Sequence, residues 1–365
     1  MLPSTASAAS GVVEAPANGY YGVTTIDTAQ HARADTRADA DAEVAACPIG
    51  QWTITRFTTC FNAGLTYTAR DKNTHAPVGG AQFTITQNAE LNPQGTQWTE
   101  NLSLTMVAGS AWGVVLVTPM QASWQGSCSG AGCQVPDNTA FPPSSSITQG
   151  ATLSGTMTFS NPRAKGTVEA FQTTYLLHVV SVGSLADAPA HYGSPELRCD
   201  AQVGSTSGCV VTGYIPTFNV DSVEFPLAAL GVRWAQDNLA SHPGKPGAGA
   251  PLNRQANTAK QQANRARICG SSSGFVKLPT VPDDSCDEYP FAATTQGGSM
   301  QGPDCAEIVP LPNGSVQVIK PASAITTCAR AHVPLGQNTD VGGDLGQWVQ
   351  GQRVIDNEQY WVSTV

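Results

Sequence analysis

Between about residue 47 and residue 225 the chain alternates apolar and polar positions in short runs separated by turn residues. Residues 81–87 read Ala-Gln-Phe-Thr-Ile-Thr-Gln, and residues 64–69, 98–106, 151–159 and 174–180 repeat the same period of two. Period-two patterning buries one face of a strand and wets the other, which predicts an antiparallel β-sandwich over residues 46–225. Near residue 226 the spacing becomes helical. Residues 227–239 place apolar side chains on one helix face, and Ser241-His242-Pro243-Gly244 ends the helix because Pro243 cannot continue it. A Gly/Pro-rich loop over 245–252 and a second, basic helix over 257–268 follow. The tail, 352–362, reads as two short strands around an Asp356-Asn357 turn. Residues 1–45 offer few bulky apolar side chains to bury and read as a flexible leader or pro-segment.

Composition changes this picture in two respects. Charged residues make up only 12% of the 365, while Gly (36) and Pro (25) are plentiful, as in turn-rich extracellular β-proteins. The 10 cysteines fall in close pairs, Cys47/Cys60, Cys128/Cys133, Cys199/Cys209, Cys269/Cys286 and Cys305/Cys328. There is no Cys-x-x-Cys and no His at zinc spacing, so five local disulfides in an oxidising compartment is the expected state, although sequence does not determine connectivity. No apolar run spans a membrane. The first residues lack the basic and apolar regions of a signal peptide, so either the start is trimmed or the start codon is placed late; the cysteines argue for a secreted protein nonetheless.

The net charge of −9 argues against a generic nucleic-acid binder, but the charges are sorted. Residues 1–234 carry 9 basic and 16 acidic side chains, and residues 235–365 carry 9 and 11. Lys245, Arg254, Lys260, Arg265, Arg267 and Lys277 come with no acid between them, and Asp283, Asp284, Asp287 and Glu288 follow. This pattern suits a phosphate-contacting surface beside a metal site, and equally a solvated helix beside a polar turn. The run Cys286-Asp287-Glu288-Tyr289-Pro290-Phe291-Ala292 sets two carboxylates among bulky apolar residues. Buried carboxylates need a partner, and a hard cation such as Mg²⁺ or Mn²⁺ is one. Neighbouring strand residues face opposite ways, so Asp287 and Glu288 are not expected to share one ligand.

Four segments together resemble the NucA/NucB family of secreted bacterial deoxyribonucleases. They are Ser241-His242-Pro243-Gly244 with Pro251-Leu252-Asn253-Arg254; Asn264-Arg265-Ala266-Arg267-Ile268-Cys269; Ser285-Cys286-Asp287-Glu288-Tyr289-Pro290-Phe291-Ala292 with Thr294-Thr295-Gln296-Gly297-Gly298; and Val333-Pro334-Leu335-Gly336-Gln337-Asn338, Gly342-Gly343 and Arg353-Val354-Ile355-Asp356. The resemblance covers about residues 227–365. It implies an α+β chain in which an N-terminal antiparallel β-sandwich precedes a small α+β nuclease domain, 226–365, similar to ββα-metal endonucleases.

It further implies a secreted, metal-dependent, non-specific DNA endonuclease that uses Mg²⁺ or Mn²⁺. DNA would be its partner, and a cognate inhibitor protein is a further partner such an enzyme invites. Asp287 matches the essential aspartate that activates water and approaches the metal. Asn338 matches the metal-binding asparagine, and Glu288 the second acid, with Arg265 or Arg267 as its ion-pair partner. Arg265 and Arg267 are the substrate-binding candidates. Arg353 is a catalytic candidate for contact with phosphate or transition-state charge; the other reading pairs it with Asp356 or Asp344. Gln337 departs from a position that is often acidic in the family, which leaves Asp344 or Gln347 to orient a metal-bound water. His332 is a spare base, or else a surface residue. The competing functional class is an extracellular binding or adhesion protein whose nuclease-like domain is inactive.

Overall fold

The computed structural model describes residues 19–26, 33–34 and 47–365 and is mostly β, with three α-helices among these residues. The chain divides into two compact units, Met1–Tyr214 and Ile215–Val365. All three helices lie in the second unit, so the α+β character expected of the whole chain is confined to that unit.

In the first unit the alternating runs form the strands that the period of two predicts. Thr58–Asp71 and Pro77–Glu90 pair antiparallel from Thr58↔Glu90 to Arg70↔Pro77, and Gln97–Met106 and Thr152–Ser160 continue the same sheet. Phe61, Leu65, Phe83, Ile85 and Leu104 point inward. They meet Trp124, Tyr175, Leu177 and Val179 from a second sheet, built on Met120–Cys128 and Thr173–Ser181, in one continuous core. A residue buried in this way contributes about 1.5–3 kcal/mol, which is why both sheets keep a strict inward register. His178 Nε2 donates to the Asp187 carbonyl at 3.0 Å and is an ordinary face residue.

Two findings depart from the linear reading. Tyr20–Ile26, inside the stretch read as a leader, is a strand paired antiparallel with Thr58–Asp71. Tyr20 and Thr24 are buried there, and the Tyr20 hydroxyl bonds Ser181 Oγ at 2.9 Å. Pairing along an already formed edge compensates for the low hydrophobicity of the segment. The rest of the leader lies outside the described residues, apart from Arg33–Ala34, whose backbone pairs with Gln51–Ile54. The second unit also begins at Ile215, ahead of the change of pattern at residue 226, because Thr217–Val220 pairs in parallel with the last strand, Gln359–Thr364.

The second unit is a four-stranded sheet with helices around it. The strand order is Asp284–Tyr289, Ala329–Pro334, Ala306–Pro310, Val316–Lys320. Helix α1 (Pro226–Asn238) starts at a proline and buries Ala228, Ala229, Val232 and Ala235. Helix α2 (Thr258–Cys269) starts where Asn257 accepts a hydrogen bond from the Lys260 amide, an N-cap. Helix α3 (Leu335–Gly351) follows the Ala329–Pro334 strand without a loop. The first of the two strands expected in the tail is absent. The chain leaves α3 through Arg353 in the left-handed region (φ 50°), and the Val354 amide bonds back to the Val349 carbonyl. Helix-end hydrogen bonds occupy the residues that would have paired.

All five cysteine pairs that adjacency suggested are joined as disulfides.

Candidate active site

Asp284–Tyr289 is an edge strand, paired only with Ala329–Pro334. Its outer side carries carbonyls that need donors. The immediate turn from Pro334 into α3 brings Asn338 back along this edge. Asn338 Nδ2 donates to the Cys286 carbonyl at 3.0 Å and to Ser285 Oγ at 3.1 Å, and Ser285 Oγ donates to the Val333 carbonyl at 2.8 Å. The amide nitrogen is thereby consumed. Asn338 Oδ1 takes no hydrogen bond among the described residues, so a carbonyl oxygen is left over at the strand edge.

Ser285 and Asp287 are two apart on the strand and share a face, the one Asn338 reaches. Asp287 is half-buried and has no ion pair among the described residues. Its carboxyl is pushed up to about 8, first by burial, then by the charge of Glu288, with Arg265 opposing. A carboxylate poised near neutral pH is what general-base work requires.

Glu288 faces the other way. Its Oε1 lies 3.4 Å from Arg265 Nε, and its side chain is 7% exposed against 65% for the arginine. Burial also raises Glu288, and Arg265 offsets part of that rise. The two adjacent acids are therefore separated by the pleat, as neighbours on a strand must be. Arg267 is exposed on α2 and donates through Nη1 to the Gly298 carbonyl at 2.7 Å, so both basic side chains of this turn stand at the surface, with Arg265 alone against Glu288. The Cys269–Cys286 disulfide joins the C-terminus of α2 to the strand, one residue from Asp287.

Behind Glu288 the sheet carries a polar network that sequence reasoning missed. His332 Nδ1 lies 2.7 Å from Asp284 Oδ2, and His332 Nε2 lies 3.1 Å from Glu307 Oε1. Arg330 donates to Glu307 Oε2 through Nε at 2.9 Å and through Nη2 at 2.5 Å, and its Nη1 donates to the Ser273 carbonyl at 2.8 Å. Phe275 stacks on the His332 ring at 4.4 Å. His332 is fully buried, which corrects its reading as a surface residue and leaves it no access to a water or a phosphate as a spare base. The only local signal was that Arg330 and His332 alternate with apolar Ala331 and Val333; Glu307 enters through a parallel pairing that no local pattern shows.

Arg353 is 1% exposed and packed in the core at the end of α3. This corrects its reading as a phosphate contact, because a side chain without surface cannot meet a polyanion. Gln337 is committed elsewhere: its Oε1 accepts from the Leu227 and Ala228 amides, at 2.9 and 3.3 Å, and so closes the first turn of α1. Asp344 and Gln347 are exposed on α3.

The donor set suits a hard, largely hydrated cation. Asp287 supplies a carboxylate without a counter-ion, and Asn338 supplies a free carbonyl oxygen beside the same face. No cluster of three His, Cys, Asp or Glu side chains able to hold a metal occurs among the described residues. Mg²⁺ and Mn²⁺ are bound in this manner, by one or two protein oxygens with the remaining positions left to water and phosphate oxygens.

No curated protein matches the chain. Residues 243–363 match the family model described as Deoxyribonuclease NucA/NucB. That stretch contains the edge strand, the basic helix and α3, and the second unit of this chain accordingly carries a NucA/NucB deoxyribonuclease domain.

Proposed function

We propose that the protein is a secreted, metal-dependent endonuclease that hydrolyses DNA phosphodiester bonds without sequence preference. The observation that carries this reading is the occurrence of Asp287, poised near pH 8 and without an ion pair among the described residues, and the free Asn338 oxygen along one edge strand. The strand Asp284–Tyr289, its partner Ala329–Pro334 and α3 supply the two strands and helix that a ββα-metal arrangement needs.

Asp287 and Asn338 would hold Mg²⁺ or Mn²⁺. When bound there, the cation supplies charge neutralisation at the scissile phosphate and a more acidic water. Asp287 in its ionised form accepts the proton of the attacking water. Arg265 and Arg267 hold the flanking phosphates from α2, and Arg265 offsets part of the burial of Glu288 beside them. Contacts of this kind position a backbone without reading bases, which is the basis for non-specific cleavage. Five disulfides support an extracellular setting, and no helix among the described residues is long and apolar enough to cross a membrane.

The test is supercoiled plasmid incubated with Mg²⁺ or Mn²⁺, with and without chelator, beside Asp287→Ala. Cleavage is expected only with free cation, and at a rate about 10²–10⁴-fold lower in the variant. Undiminished cleavage by Asp287→Ala would overturn the assignment.

A further inference from the structure

The first unit holds a binding surface that the nuclease reading does not use. On the four long strands of its larger sheet, alternation turns Phe61, Leu65, Phe83 and Leu104 into the core and leaves the opposite face to neutral polar side chains. Asn62, Thr86, Ser103 and Ser154 form one row across the four strands in direct register, and Asn88 stands opposite Asn101 in the next. Thr86 Oγ1 and Ser103 Oγ are hydrogen-bonded at 2.5 Å, so part of the row is already oriented.

Two cavities lie on this face, of about 950 and 440 Å³, and they share Thr86, Asn88 and Asn101. They therefore form one continuous groove. Among the described residues Glu90 is the single charged one lining it, and no Lys or Arg among them lines either cavity.

The chemistry of the lining restricts the ligand. A DNA or RNA strand is held by cations against its phosphates, and the groove has none among the described residues. A protein interface buries an apolar, aromatic-rich centre, whereas the apolar residues here point into the core. Amides and hydroxyls both donate and accept hydrogen bonds, as sugar hydroxyls do, and they hold them without a charge. The combined volume exceeds that of a typical pocket for one small molecule, and the groove runs across strands rather than closing on a point.

We propose that this groove binds an uncharged polysaccharide, anchoring the chain to a glycan surface through Asn62, Thr86, Asn88, Asn101, Ser103 and Ser154. The inference is independent of the nuclease assignment.

The experiment is sedimentation of the full chain with three insoluble neutral polymers, cellulose, chitin and β-1,3-glucan, with heparin-agarose as the anionic control. The variants are Asn88→Ala/Asn101→Ala and, separately, Thr86→Lys; both alter surface positions, and thermal unfolding confirms that each is folded. Retention is expected on at least one neutral polymer. It should fall about tenfold or more in both variants and be unchanged when salt is raised from about 0.05 to 0.2 M, because no counterions are released. Three outcomes overturn the proposal: no retention on any neutral polymer, retention that survives both variants with unfolding midpoints unchanged, or binding confined to heparin and lost with salt.

Discussion

Arg265 Nε lies 3.4 Å from Glu288 Oε1, and the acid next to Glu288 is Asp287. The arginine thus stabilises the charge of one carboxylate directly and of the other through space, while most of its own surface faces solvent. Replacing it with Gln removes a phosphate contact and an opposing charge together. The expected result is a fall of about 10–100-fold in kcat/KM on plasmid, the loss of a charge-assisted contact worth roughly 1.5–3 kcal/mol. The rising limb of the pH–rate profile should also move to higher pH, since Arg265 lowers Asp287 alongside a backbone hydrogen bond from Glu288. Arg265→Lys keeps the charge and should restore the position of that limb. A profile that does not move in Arg265→Gln would separate the arginine from Asp287.

Asp287 makes a second, sign-definite prediction. Its folded carboxyl, at about 8, lies above the ordinary aspartate value of 3.8. The folded state therefore binds a proton that the unfolded chain has already released, and the contribution of this group to stability is greatest below about pH 4 and declines as pH rises towards 8. Asp287→Asn removes this penalty. In chelator, its unfolding midpoint should match the wild type near pH 4 and exceed it increasingly up to pH 8. The free-energy gain is on the order of a few kcal/mol at most, because the side chain is only partly enclosed. Activity moves the opposite way, falling about 10²–10⁴-fold. A variant that is both inactive and less stable at pH 8 would contradict the role given to burial.

His332 bridges two carboxylates inside the protein, 2.7 Å from one and 3.1 Å from the other. Truncation to Ala leaves Asp284 and Glu307 facing each other without it, and removal of one member of a buried ionic set costs about 3–5 kcal/mol. Chemical denaturation should show that loss. At low temperature, where the variant stays folded, kcat/KM should remain within a few-fold of wild type, because His332 has no surface from which to exchange a proton with substrate. A large loss of kcat in folded protein would return His332 to the list of bases.

The Cys269–Cys286 bridge closes a sequence separation of 17 and fixes α2 to the strand that carries Asp287. A loop of that length stabilises by about 3 kcal/mol. Cys269→Ser/Cys286→Ser should lower the unfolding free energy by roughly that amount and reduce plasmid cleavage, as should excess thiol. Full activity in thiol, with the bridge shown open by mass spectrometry, would argue against any part for it in positioning the site.

How much of this was legible beforehand follows from the range of the interactions. The strands of the first unit and the extents of α1 and α2 were readable because periodicity, Pro243 and Asn257 act within one or two turns of chain. The divergence of Asp287 and Glu288 was readable for the same reason, since it needs only the pleat. Asn338 was placed near the strand by motif resemblance, not by pattern; its bonds to Ser285 and Cys286 depend on how α3 folds back from Pro334. Arg353 and His332 were misplaced because a charged letter says nothing about burial. Arg353 is covered by the end of α3, and His332 is held between Asp284 and Glu307, the latter brought in by a parallel pairing. Gln337 looked like a missing ligand, and its role at the start of α1 becomes visible only when two helices distant in sequence are seen together.

The parallel ladder between Thr217–Val220 and Gln359–Thr364 bears on when the second unit completes itself. Its opening strand has no partner until the closing one exists, so a ribosome must release nearly the whole unit before the sheet can zip. The nascent chain passes through synthesis, and through any translocation that keeps pace with it, with that seam open. For a protein whose proposed chemistry is destructive to DNA, late closure delays assembly of the complete unit until Gln359–Thr364 has been synthesised.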